Sequence, residues 1–182
     1  MKLDAKSILK PALTLFIICL VVTALLAGTN LLTKDKIAEQ AEITAQESRK
    51  IVLSDAESFE ENDGFYTGLK GGEVVGYVFE TEAKGYGGTV KVMTGISAEG
   101  SITGVVILEH DETPGLGANA EKTSITEQYK QAVAEGGVEL VKNKEAGEGQ
   151  VEALTGATIT SRAVTSAVNA AIEQYNTVKG GA

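Results

Sequence analysis

Residues 154–161 are the stretch of the chain best suited to chemistry, and they read Leu-Thr-Gly-Ala-Thr-Ile-Thr-Ser. They stand where a loop is predicted to become the C-terminal helix. The first turn of a helix exposes unpaired backbone N–H groups and the positive end of the peptide dipole, so a phosphate is stabilised there. The residues that could serve such a site are hydroxyl-bearing or small: Thr155, Gly156, Ala157, Thr158, Thr160 and Ser161. The sequence predicts an anion site, with an ordinary Ser/Thr helix cap as the alternative.

None of these hydroxyls is expected to react on its own. A threonine hydroxyl is a weak nucleophile, and no histidine stands near it in the sequence to activate it. We therefore predict no catalytic residue in this chain.

A second segment, residues 109–118, reads Glu-His-Asp-Glu-Thr-Pro-Gly-Leu-Gly-Ala and follows a predicted strand. Pro114 and the glycines on either side of Leu116 predict a rigid turn in which the backbone can approach a flat ligand closely. Glu112 and Thr113 offer hydrogen-bonding groups to such a ligand. By composition alone, this could be any loop.

Three further residues invite a functional interpretation. Tyr86, within Gly-Tyr-Gly-Gly at 85–88, could stack on a flat ligand or could be a half-exposed turn aromatic. His110 is the only histidine and lacks further ligands nearby, so a structural residue at a strand end is favoured over a metal ligand. Cys19 is the only cysteine and lies in an apolar run, which excludes an intrachain disulfide and a Cys-based iron–sulfur or zinc site.

The N-terminus predicts a membrane anchor. Residues 11–32 contain no charge, and 22 residues of helix are about 33 Å long, enough to span a bilayer. Lys2, Lys6 and Lys10 precede this run, so residues 1–10 should be cytoplasmic and the residues after Leu32 extracytoplasmic. A cleaved signal peptide, cut near residues 22–24, is the alternative.

After the anchor, residues 33–54 predict a juxtamembrane helix and residues 55–182 a single domain. Glycine-bounded alternating segments predict antiparallel strands near 65–69, 74–81, 90–95 and 102–109, each half-buried. A Ser-x-x-Glu box at Ser124 predicts a helix to about Ala134, followed by a short strand at 138–141. The C-terminal helix should bury one face at helical spacing, formed by Ala163, Val164, Ala167, Val168, Ala171, Ile172 and Tyr175. The fold class is α+β.

Charge and motifs exclude several functions. The net charge is −9, which argues against nucleic acid as a partner because binding it requires a basic surface. The chain has no Gly-x-Gly-x-x-Gly fingerprint, so we expect no dinucleotide site of that type.

Two motifs carry a resemblance that extends over nearly the whole chain. Thr-Gly-Ala-Thr at 155–158 is similar to the flavinylation motif of the FMN-binding subunits of Rnf and sodium-pumping quinone reductase complexes, and Glu-Thr-Pro-Gly-Leu-Gly at 112–117 matches a signature of the same subunits. Glu152 stands where that family usually has Asp, and Thr89 where it often has Pro. The order of anchor, helix and motifs resembles the G subunit of an Rnf complex.

The resemblance implies covalent FMN, bound through a phosphodiester to Thr158 and attached by a separate flavin transferase that takes FMN from FAD. It implies ring contacts from Thr113, Leu116 and Gly117. It also implies an electron-carrier subunit of an ion-translocating oxidoreductase, with no complete activity of its own, in a bacterial membrane complex that couples ferredoxin:NAD oxidoreduction to Na⁺ or H⁺ movement. The corresponding quinone reductase subunit and a non-redox anchored binding module are the alternatives.

Overall fold

The structure, a computed structural model, describes residues 5–130, 137–142 and 144–180. Within these residues the helices and strands are, in chain order, α1 (Ala5–Val52), β1 (Ser58–Glu61), β2 (Phe65–Lys70), β3 (Glu73–Lys84), β4 (Thr89–Ser97), β5 (Ile102–Glu109), α2 (Thr123–Thr126), β6 (Glu139–Val141), β7 (Gln150–Glu152) and α3 (Thr158–Gly180). Short 3₁₀ segments occupy Gly117–Glu121 and Glu127–Tyr129. The predicted α+β class is confirmed.

The chain divides into two compact units, Met1–Ile43 and Thr44–Ala182. The first contains most of α1, and the large aliphatic side chains of α1 from Ile8 to Ile43 are exposed. Among the described helices, α1 alone is long and apolar enough to cross a membrane, judged by length and composition. Three threonine hydroxyls of α1 are satisfied within the helix, because Thr14, Thr29 and Thr33 each donate a hydrogen bond to the carbonyl four residues earlier.

The second unit is built on an antiparallel sheet with the strand order β1-β2-β3-β4-β5. Each strand pairs with the next along the chain, and the register places Phe79 opposite Thr94 and Gly95 opposite Gly104. The four predicted strands correspond to β2 through β5. β6 and β7 form a separate parallel pair, of which only β6 was predicted.

α3 covers one face of the sheet. Its predicted apolar face is confirmed, since all seven residues named for it are at most 3% exposed. They pack against sheet side chains such as Phe79, Val92 and Ile96. This packing fixes where α3 begins relative to the sheet.

The end of α1 covers the opposite face. Val52 and Leu53 are buried with Val78 and Met93, which are the sequence neighbours of Phe79 and Val92 on the α3 side. Neighbouring residues of a strand point to opposite faces, so β3 and β4 bury both faces here. The prediction of half-buried strands was therefore wrong for β3 and β4 at the sheet centre. The alternation of residues within a strand does not indicate that the end of a preceding helix covers its second face.

The predicted helix from Ser124 to about Ala134 is much shorter. α2 ends at Thr126, a 3₁₀ turn follows, and Lys130 is no longer helical; the remaining predicted residues lie outside the described ones. Tyr129 is 1% exposed, and its hydroxyl lies 2.9 Å from the Thr165 hydroxyl. The Thr165 hydroxyl already donates its proton to the Ser161 carbonyl. Tyr129 is therefore the donor, and burial raises its pKa to about 12. Burial of this side chain against α3 is favoured over continuation of a short helix.

Close approach of α1 to the sheet predicts that Gly95 cannot bear a side chain. A Cβ at Gly95 would overlap the Val52 carbonyl and lie 2.7 Å from the Thr103 hydroxyl oxygen. We expect Gly95→Ala to lower the free energy of unfolding by about 1–3 kcal/mol, as overpacking typically does. Urea denaturation of the full chain in detergent, followed by tyrosine fluorescence, measures this. Gly147→Ala is the control, because its nearest neighbour would be 3.5 Å away, and equal stability of the two variants would contradict the packing described.

Candidate functional site

The loop that leads into α3 turns tightly at Gly156, whose φ of 81° favours glycine. The Ala157 N–H donates to the Leu154 carbonyl at 3.0 Å. The Ser161 hydroxyl accepts from the Leu154 N–H at 2.9 Å and donates to the Ala157 carbonyl at 3.0 Å. These bonds hold the loop against the first turn, and α3 begins at Thr158.

Backbone donors are concentrated at this helix start. The Ser161 N–H bonds the Ala157 carbonyl at 3.0 Å. The N–H groups of Thr158, Ile159 and Thr160 precede that bond and therefore have no acceptor within α3. Together with the helix dipole they provide the electrostatic component of an anion site.

The hydroxyl groups of this start are not equivalent. Thr160 and Ser161 are 2% and 5% exposed, and both hydroxyls donate hydrogen bonds within the protein. Thr155 is exposed and Thr158 is half-buried. Among the described residues, none hydrogen-bonds the Thr158 hydroxyl.

A pocket of about 600 Å³ opens in front of the helix start. This volume is within the range of small-molecule sites, about 300–1,000 Å³. The residues lining it come from three separate parts of the sequence, the two motif segments and the Gly-Tyr-Gly-Gly loop, with one addition from the end of β6: Tyr86, Glu112, Thr113, Leu116, Gly117, Lys142, Gly156, Ala157, Thr158, Ile159 and Thr160.

Most of the predicted site residues thus lie around one pocket, with two exceptions. Thr155 and Ser161 do not line it. Conversely, Ile159 and Lys142 line it without having been predicted. Ile159 could have been found by its place next to Thr158, whereas no sequence pattern distinguishes Lys142 from the other lysines near it.

Three apolar or aromatic side chains of this pocket are exposed. Tyr86 is 73% exposed, Leu116 49% and Ile159 52%. Exposed apolar groups gathered around a concave site are typical of a surface that binds a flat or apolar ligand. The pocket therefore combines an apolar wall with the backbone N–H groups at the start of α3.

Glu112 is the buried charge of the pocket, at 5% exposed. Its Oε1 accepts hydrogen bonds from the backbone N–H groups of Tyr86 and Gly87, at 2.8 and 3.1 Å. Its Oε2 accepts one from the Thr160 hydroxyl at 2.6 Å. One carboxylate thus connects the three segments that form the pocket.

The pKa of Glu112 reflects this environment. Burial raises the pKa, but the hydrogen bonds from Thr160, Gly87 and Tyr86, together with the charge of His110 when protonated, lower it below its ordinary value. The carboxylate is therefore ionised at neutral pH, and it accepts hydrogen bonds through both oxygens.

His110 is engaged within the protein through both ring nitrogens. Its Nδ1 accepts a hydrogen bond from the Glu112 N–H at 3.0 Å, and its Nε2 lies 3.0 Å from Glu121 Oε1. An accepting Nδ1 places the proton on Nε2. Within the described residues, no group of three or more His, Cys, Asp or Glu side chains is arranged to hold a metal ion.

Two family models match the chain. The model described as FMN-binding domain matches residues 85–173, and the model described as RnfG N-terminal region matches residues 1–50. Every residue that lines the pocket falls between 85 and 173, so the pocket lies wholly within the FMN-binding domain.

Solved structures share the fold. The chain resembles NqrC of Shewanella oneidensis with a TM-score of 0.52 and 23% identity, covering 66% of this chain and 65% of that one. It resembles the C subunit of the Na⁺-translocating NADH-quinone reductase of Parabacteroides distasonis with a TM-score of 0.52 and 24% identity, covering 61% and 59%.

Relatives match over almost the full length. The G subunit of the proton-translocating ferredoxin:NAD⁺ oxidoreductase complex of Clostridium ljungdahlii is 34% identical, over 98% of this chain and 97% of that protein. The G subunit of the Na⁺-translocating ferredoxin:NAD⁺ oxidoreductase complex of Acetobacterium woodii is 38% identical, over 96% and 94%. The chain therefore belongs to the family of G subunits of Rnf-type ion-translocating oxidoreductase complexes.

Proposed function

We propose that this chain carries FMN bound covalently to Thr158 and relays electrons within an Rnf-type complex that couples ferredoxin:NAD oxidoreduction to Na⁺ or H⁺ translocation. The observation that carries the proposal is the position of Thr158. Of the four hydroxyl residues at the start of α3, it alone both lines the pocket and has no described hydrogen-bond partner for its hydroxyl. Thr155 lies outside the pocket, and Thr160 and Ser161 are buried.

The residues present fit FMN. The N–H groups at the start of α3 suit a phosphodiester, and the left-handed Gly156 lets the backbone turn close to it. Tyr86, Leu116 and Ile159 offer apolar surface to an isoalloxazine ring. Thr113 and Gly117 line the same pocket and are proposed as further ring contacts.

The residues of the chain position the cofactor, and the redox chemistry is that of the flavin. FMN, when bound, supplies the capacity to accept and release one or two electrons, which no side chain of the pocket has. Thr158 provides the ester oxygen, and the helix dipole offsets the negative charge of the phosphodiester. We expect no complete activity from this chain alone, because its electrons must come from and go to other subunits.

A separate flavin transferase is needed for attachment. The nearest buried carboxylate, Glu112, accepts a hydrogen bond from Thr160 rather than from Thr158, so no described base takes the Thr158 proton. The transferase would join Thr158 Oγ1 to the FMN phosphate of FAD and break the pyrophosphate bond, so that AMP leaves and the hydroxyl proton is released.

The membrane arrangement is part of the proposal. Residues 1–10 would be cytoplasmic, residues 11–32 would cross the bilayer, residues 33–54 would form the juxtamembrane helix, and residues 55–182 would be the extracytoplasmic FMN-binding domain. The exposed aliphatic side chains of α1 support the membrane span, and the three N-terminal lysines support this orientation.

Two other functions remain as alternatives. The corresponding subunit of a Na⁺-translocating NADH:quinone reductase would have the same cofactor but other partners. A non-redox binding module would hold a phosphate-bearing ligand reversibly at the same helix start. Covalent attachment distinguishes the second from both redox functions.

Thr158→Ala should abolish flavin attachment. The full chain, co-produced with a flavin transferase, is expected to gain the mass of one esterified FMN and to give a fluorescent band after denaturing electrophoresis. Thr158→Ala should lose both signals because the ester oxygen is absent. Ser166→Ala, which removes an exposed hydroxyl on α3 outside the motif, is the matched control and should retain them. A flavin that survives denaturation in Thr158→Ala would show another attachment residue, and an unmodified wild-type chain would contradict the proposed function.

The orientation predicts which residues a membrane-impermeant maleimide reaches. In a Cys19→Ser background, Glu99→Cys in the exposed β4–β5 turn should be labelled in intact spheroplasts. Lys2→Cys, on the cytoplasmic side, should be labelled only after the membrane is permeabilised. The reverse pattern would overturn the orientation, and loss of residues 1–24 from the mature protein would indicate a cleaved signal peptide.

A further inference from the structure

We propose that Glu112 is a positioning residue: its carboxylate holds the Tyr86 loop against the start of α3 and so sets the place of Tyr86 beside a flavin on Thr158. This inference rests on the proposed function where it concerns the flavin. The hydrogen bonds that link the Tyr86 loop (residues 85–88) through Glu112 to Thr160, here called the brace, are a property of the protein alone. It assigns Glu112 a role different from the ligand contact that the sequence predicted.

The hydrogen bonds of Glu112 leave little of the carboxylate for a ligand. Oε1 accepts two backbone N–H groups, and Oε2 accepts the Thr160 hydroxyl. A carboxylate has about four acceptor positions, so three are already used. The side chain is also almost completely buried, at 5% exposed. Its partners are therefore groups of the protein.

The surrounding backbone is shaped around this carboxylate. A Cβ at Gly117 would lie 2.5 Å from Glu112 Oε2 and 2.6 Å from the Thr160 hydroxyl oxygen, and a Cβ at Gly85 would overlap Glu112 Oε1. A Cβ at Gly87 would overlap the Asp111 carbonyl. Glycines thus stand where the Tyr86 loop and the 112–117 loop approach the carboxylate.

Tyr86 depends on this arrangement because its own side chain is poorly held. The side chain is exposed, so packing contributes little to its position. Its backbone N–H, in contrast, bonds Glu112 Oε1 at 2.8 Å. The carboxylate fixes the backbone from which the ring projects, and Thr160 fixes the carboxylate two residues from Thr158. Loss of Glu112 would leave two backbone N–H groups without their acceptor.

Hydrogen exchange of the flavin-free full chain in detergent tests the brace without the cofactor. The amides of Tyr86 and Gly87 should be protected in the wild type and should lose protection in Glu112→Ala. Glu112→Gln should restore protection, because its amide oxygen can still accept both N–H groups. Glu99→Ala, at an exposed turn, is the matched control and should leave both amides unchanged. Protection that survives Glu112→Ala would overturn the proposal.

Acid should weaken the brace. The pKa of Glu112 is lowered in the folded protein, so protection should be greatest above the ordinary value of 4.5 and decrease as pH falls through the lower folded value. Below that value it should reach the level of Glu112→Gln, because a protonated carboxyl, like the Gln amide, still accepts both N–H groups through one neutral oxygen. The titratable groups near the carboxylate are His110, Asp111 and Lys142, with Glu121 beyond the imidazole. Glu112→Gln cannot titrate and should keep its protection factors over the same pH window, which separates Glu112 from these neighbours. An identical acid response in both proteins would contradict the assignment.

Flavin fluorescence of the covalently modified chain tests the consequence for the cofactor. A phenol ring against the isoalloxazine quenches its emission, so Tyr86→Leu should raise the fluorescence yield. Glu112→Ala should raise it to the same level, Glu112→Gln should restore quenching, and Glu112→Ala combined with Tyr86→Leu should show no further increase. Additive increases would mean that Glu112 contacts the flavin directly and would overturn the proposal.

Thr160→Val provides a milder loss of the brace if Glu112→Ala fails to fold. An unmodified wild-type chain would refute the proposed function instead, while the exchange result would still decide the brace.

Discussion

A single buried carboxylate joins parts of the chain that are far apart in sequence. Glu112 lies 26 residues from Tyr86 and 48 from Thr160, yet it accepts hydrogen bonds from both. Removing such a charge from water is costly unless its oxygens are well satisfied, and here they are satisfied by two backbone amides of one loop and a hydroxyl of α3. The pocket exists because these segments meet at this group.

The sheet makes that meeting possible by holding α3 in place. The apolar face of α3 packs on one side of β3 and β4, and the end of α1 packs on the other. Tyr129 then bonds Thr165, whose hydroxyl bonds the Ser161 carbonyl in the first turns of α3. The start of α3 is thus held by burial on the sheet and by hydrogen bonds from neighbouring loops, so a rigid scaffold presents Thr158.

Local patterns in the sequence predicted the parts of this structure that depend on local periodicity. Helical spacing predicted the buried face of α3, and alternation predicted β2 through β5. The two motifs contain most of the residues that line the pocket. β1 was not predicted because Ser58–Glu61 has a single apolar residue and no alternation of apolar and polar residues. The shortened α2 region depends on where Tyr129 is buried, and the partners of Glu112 depend on tertiary contacts. Lys142 reaches the pocket through the pairing of β6 with β7, which no local pattern encodes.

The exposed side chains around the pocket have a consequence for how strongly it must hold a ring. A reversibly bound cofactor needs affinity from an enclosed site, whereas an ester to Thr158 would keep the ring at high effective concentration regardless of that affinity. Tyr86, Leu116 and Ile159 are all about half exposed or more, so a ring held beside them would keep an edge open to solvent or to another protein. Such a tether would separate retention of a redox group from its enclosure, and an electron partner could approach a ring that the protein never has to release.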